Sequence, residues 1–178
     1  MNLKKRIPSW GMILPVYAVI ACMVFGWTIV SFIWKCSSWT HFFILSEILV
    51  LFAYSMTFAL LESLILLGIV VLISLLLPAS WMRDAFVTRG TTLVVFGFGF
   101  VMLEVYRFMA SRFEVVHDLP LWSAVGLLVT IVMTVLSTRA RVITRAAAWV
   151  SDRLIVFLFL LGPIALISFL VVAYRNIF

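Results

Sequence analysis

Three acidic residues stand inside long apolar runs, and they are the side chains best placed to do chemistry: Glu47, Glu62 and Glu104. A carboxyl in hydrocarbon is costly, so such a residue marks a proton or ion path, a polar substrate pocket, or a polar contact between helices. Glu62 falls near the middle of the run from Phe42 to Leu77 and is expected to lie deepest. Glu47 sits about 60° away on the same helical wheel, with Tyr54 and Phe58 between them. Glu104 precedes Arg107 by one helical turn, which puts both on one face within reach of an ion pair. His41, His117 and Asp118 fall at predicted span ends and could gather with Glu47, Glu104 and Arg107 as an outer-side polar cluster. The plainer reading stays open beside it. There Glu104 pairs with Arg107, Arg107 snorkels outward, and a protonated Glu62 hydrogen-bonds inside the bundle or to a partner chain.

Other chemistries find no carrier. The chain holds no phosphate-binding glycine loop, no GxSxG and no HExxH. Ser, Cys and His are not spaced as a nucleophile and its base, so no enzymatic activity and no metal site are expected. Cys22 and Cys36 form no CxxC pair. Haem in membrane bundles is held by histidines inside helices, whereas His41 and His117 both fall near outer ends, so haem is not expected. Phe96, Phe98 and Phe100 alternate and project to different helical faces. They suit lipid or partner contact, and a carotenoid, quinone or other hydrophobic tail could lie against them.

The elements that carry these residues must be membrane spans. Of 178 residues 66% are apolar and 11% charged, with mean hydropathy +1.27. A soluble domain carries about a quarter charged residues and cannot hide so much apolar surface at this length. The net charge of +6 does not point to nucleic acid, because the basic residues sit between apolar runs, where they set orientation and meet lipid headgroups. Lys4, Lys5 and Arg6, followed by an apolar run and Val19-Ile20-Ala21-Cys22, resemble a lipoprotein signal. The residues after Cys22 stay apolar through Trp34 and Pro15 interrupts the run, so the segment is read as a helix that remains.

The apolar runs predict an all-α, polytopic membrane protein with one domain over 1–178 and spans at about 10–34, 42–77, 91–110, 120–137 and 154–174. The run 42–77 is long enough for two short helices, but no Gly or Pro marks a turn near 61–63. Charge also favours one helix. Five spans put nine basic residues inside (Lys4, Lys5, Arg6, Arg83, Arg89, Arg139, Arg141, Arg145 and Arg153) and four outside (Lys35, Arg107, Arg112 and Arg175). Six spans would make the split six inside to seven outside. The positive-inside rule therefore predicts five spans, N-terminus in the cytoplasm and C-terminus outside, in the cell membrane. Such a second helix would be roughly 54 Å long against a hydrocarbon core of about 30 Å, so its start should extend beyond the outer surface. Residues 79–90 are expected to form a short inner connection. Residues 140–152 place basic and apolar side chains on opposite halves of a helical wheel. They predict either an amphipathic interfacial segment or a cytoplasmic extension of the fifth helix. Pro15 and Pro163 are expected to bend their helices.

These features lead to the expectation of a non-catalytic membrane subunit, surrounded by lipid and packed into a larger membrane complex. A small oligomeric transporter or channel using the intramembrane carboxylates is the alternative. The element order also resembles, by span count, the five-helix membrane anchor of lipoteichoic-acid-synthase-like envelope enzymes. With the chain ending at Phe178, that resemblance implies an anchor partner for a separate outer-side enzyme.

Overall fold

Long apolar runs leave backbone N–H and C=O groups no partners but one another, and a helix satisfies them within a single segment. The computed structural model describes residues 8–82, 85–110 and 118–177, and all regular structure among them is helical. The helices are α1 (Trp10–Trp39), α2 (Leu45–Leu76), the short α3 (Ala79–Met82), α4 (Phe86–Ala110), α5 (Leu119–Leu136) and α6 (Arg141–Ile177). Five of them, all but α3, are long and apolar enough to cross a membrane.

The first helix is the axis of the bundle. It packs against α2, α4 and α6, α2 and α6 close on each other, and α5 leans mainly on α4. Val16, Val19, Ile20, Ala21, Val24 and Phe25 of α1 are buried on almost every side. Met56, Ala59 and Val70 of α2, Phe86 and Val94 of α4, and Leu161 and Ala165 of α6 complete the core. Gly90 lets α4 come close to α1, since a Cβ there would stand 3.2 Å from a Val16 methyl. Helices α1, α4 and α6 run one way and α2 and α5 the other. Thus Arg89 near the start of α4 meets Thr138 just beyond the end of α5, and Asn176 near the end of α6 meets Tyr54 in the first half of α2.

Several boundaries differ from those the sequence predicts. The first helix does not stop at Trp34 but continues to Trp39, so Lys35 is helical. The second begins at Leu45, because Phe42 and Phe43 close a turn onto the Trp39 carbonyl, and it runs unbroken through 60–64. The third span starts at Phe86 rather than Thr91, with the Arg89 N–H already bonded to the Ala85 carbonyl. Residues 140–152 form no separate amphipathic element. No breaker separates Asp152 from Leu154, and one helix runs from Arg141 to Ile177, so 140–152 is continuous with the fifth span. Pro15 and Pro163 both lie inside helices.

Candidate functional site

Two grooves that carry charged side chains lie toward the end of the bundle where α1 and α4 finish. The first lies between α1, α2 and α4. Beyond Phe25 the axial helix is no longer enclosed, and its last turns diverge from α4, leaving a groove of about 620 Å³. Trp27, Trp34 and Trp39 of α1 and Tyr106 of α4 supply aromatic walls, and Lys35 and Glu62 supply one charge of each sign. Thr28, Ser31 and Ser55 add hydroxyls. Two of these are turned to their own backbones, Thr28 onto Val24 O and Ser55 onto Leu51 O, each at 2.9 Å. Helical Ser and Thr lower their cost in apolar surroundings this way.

Of the two expected placements of Glu62, inside the bundle or facing outward to a partner, the structure has the outward one. Its neighbour Ser63 takes the buried position, donating to Leu60 O at 2.8 Å and sharing a 3.4 Å hydrogen bond with Tyr17 of α1. One residue is 100° of helix, so Glu62 turns out to the open groove, where it is exposed. It makes no hydrogen bond and no ion pair among the described residues, although Lys35 lines the same groove. Glu47 is not brought to it. It stands in the first turn of α2, exposed, and its carboxylate accepts the Ile44 N–H at 3.1 Å. That is the side-chain half of a capping box, and fifteen residues of helix, about 22 Å, separate it from Glu62.

The second groove lies between α4 and α5. The buried face of α5 consists of Gly126, Thr130 and Thr134, one residue per turn. Thr130 donates to Gly126 O at 2.8 Å and Thr134 to Thr130 O at 2.7 Å, so the hydroxyls are satisfied locally. Small residues at this spacing allow close helix approach. Phe100 of α4 fills the place a side chain at Gly126 would occupy, and Thr130 faces Gly97. Toward the ends nearer Glu104 and Ser123 the helices part, leaving a largely apolar, outward-open cavity of about 690 Å³. Glu104 lines this cavity at 8% exposure. Arg107 Nη1 donates to Glu104 Oε1 at 3.0 Å, and its guanidinium lies 4.5 Å from the centre of the Trp122 ring on α5. Glu104 Oε2 is buried without a hydrogen-bond partner among the described residues.

Of the remaining predicted residues, His41 and Asp118 are described. His41 is exposed in the turn between α1 and α2, and Asp118 is exposed at the cap of α5 without a side-chain capping bond. His117 lies outside the described residues, as do Arg112 and Glu114. No three His, Cys, Asp or Glu side chains gather to hold a metal among the described residues. Cys22 and Cys36 are unpaired. Phe98 packs on the core while Phe100 enters the α4–α5 interface.

Sequence reasoning did not anticipate two features. Arg89, read only as an inner charge, is buried. It lies over the Trp81 ring at 4.7 Å and donates through Nη2 to Thr138 at 3.1 Å, with Nε and Nη1 unpartnered. The face of Gly126, Thr130 and Thr134 was also missed, although a period of four in small residues could have revealed it. Set against known proteins, the chain matches no family model, no curated protein and no solved structure.

Proposed function

We propose that the chain is a non-catalytic, multi-pass subunit of a larger complex in the cell membrane, and that the Glu62 groove receives a transmembrane helix of another subunit. The supporting observation is Glu62 itself, near the centre of an apolar helix, exposed and without a hydrogen-bond partner among the described residues. Lipid tails cannot satisfy a carboxyl at that depth, where a charged residue costs about 2.5–3.5 kcal/mol. A partner helix can, by bringing a basic or hydrogen-bonding side chain to the groove and covering the tryptophans beside it. The basic residues support insertion with the N-terminus inside. A cysteine-reactive, impermeant reagent applied from outside should then modify Ser38→Cys and spare Arg145→Cys.

The decisive experiment places a photo-crosslinker at Phe58, on the wall of this groove, in cells making the full chain. The expected product joins the chain to a different membrane protein that also co-purifies in mild detergent. Crosslinks to lipid alone would refute the subunit reading, and co-purification of an envelope enzyme would specify the anchor role. A transporter is the second reading, favoured by the opposite charges and hydroxyls lining one groove. A lone homo-oligomer, with ion flux in vesicles that Glu62→Gln abolishes, would replace the first reading with it.

A further inference from the structure

The α4–α5 cavity combines an apolar trough with a charged end. Its wall on α4 runs from Leu93 to Phe108, about 22 Å of helix, longer than the roughly 15 Å of hydrocarbon in one leaflet. A single acyl chain and the start of its headgroup fit that length. At its floor Phe100 packs onto Gly126 and Thr130 onto Gly97, while Val101 and Leu127 stand exposed on its two rims.

The charged end selects the headgroup. Glu104 is buried in the cavity wall with Oε2 lacking a donor among the described residues, a costly state for a carboxylate oxygen away from water. Beside it, Arg107 gives one N–H group to Oε1 and is held over Trp122, leaving further guanidinium N–H groups for an acceptor. An acceptor short of a donor and a donor short of acceptors, side by side, complement a zwitterion. A phosphate diester accepts from Arg107, and a primary ammonium a few bonds away donates toward Glu104. A trimethylammonium head has no N–H to give. A purely anionic head sets its charge beside the Glu104 carboxylate and again supplies no cation.

We infer that this cavity is a binding site for a phospholipid whose head carries a primary ammonium, with its chain between α4 and α5 and its head at Glu104 and Arg107. The site is separate from the Glu62 groove and does not depend on what that groove receives.

The test uses the full chain purified in mild detergent. It is exchanged with phosphatidylethanolamine, phosphatidylcholine or phosphatidylglycerol of identical acyl chains, and bound lipid is read by native mass spectrometry. The wild type should retain the ethanolamine lipid about tenfold over the choline lipid, the size of one charge-assisted hydrogen bond. Glu104→Gln should bring the two within about twofold. Val101→Trp, at an exposed rim, should lower retention of the ethanolamine lipid without lowering the unfolding temperature. Equal retention of ethanolamine and choline lipids by the wild type, or a preference for the glycerol lipid, overturns the assignment and needs no variant. Selectivity that survives both substitutions places the lipid elsewhere and overturns it as well.

Discussion

The two grooves hold the same kind of residue in opposite states. Glu104 is buried and has its counter-charge one turn away on its own helix, clamped from α5 by Trp122. Glu62 is exposed, and the cation nearest in kind, Lys35, lines the same groove without pairing to it. The difference lies in where neutralisation comes from. An ion pair built within one helix needs no other chain, so Glu104 can be enclosed as the bundle folds. Glu62 has no such neighbour at its turn and stays on the outside, which is the basis of the partner proposed for its groove.

The largest effect that could break this comparison is expected on the Glu104 side. Arg107→Leu leaves a buried carboxyl without its cation and should cost about 3 kcal/mol in a detergent unfolding titration. Adding Glu104→Gln should return most of that loss, since the two residues act as a pair. No recovery in the double variant would mean that Arg107 acts through Trp122 alone. Next comes the small-residue face that seats α5. Gly126→Leu drives a side chain into the Phe100 ring and should destabilise by about 2 kcal/mol, with Phe100→Ala relieving part of it.

Substitutions at Glu62 should behave differently. Glu62→Leu is expected to leave the isolated chain as stable as before, or slightly more so, in the same titration. Assembly with the proposed partner should weaken by about 1–2 kcal/mol, the range for hydrogen bonds between membrane helices. Glu62→Gln, which keeps a hydrogen-bonding head, should assemble nearly normally. A stability loss in the isolated Glu62→Leu chain would erase the contrast between the grooves. The smallest effect belongs to Glu47→Ala, which removes an N-terminal capping contact and should cost about 0.5 kcal/mol.

The linear chain was enough to determine the five long apolar helices, the unbroken second one, and the turn-spaced Glu104 and Arg107. Each depends on composition or on separations of a few residues, which a helix converts directly into length and face. The same local rules allowed two readings of 140–152, and only the continuous helix Arg141–Ile177 decided between them. They left open whether Glu62 faces the bundle interior or a partner chain. On a helix whose apolar residues surround the whole circumference, sequence does not reveal which side meets a neighbour. The tertiary structure decided that Ser63 faces Tyr17 and Glu62 faces outward. It also decided that Glu47 caps a helix end instead of sharing a path with Glu62, and that Gly126 receives Phe100. In each case the outcome rests on which helices lie side by side and how closely they approach, a matter of packing between distant segments that no local periodicity encodes.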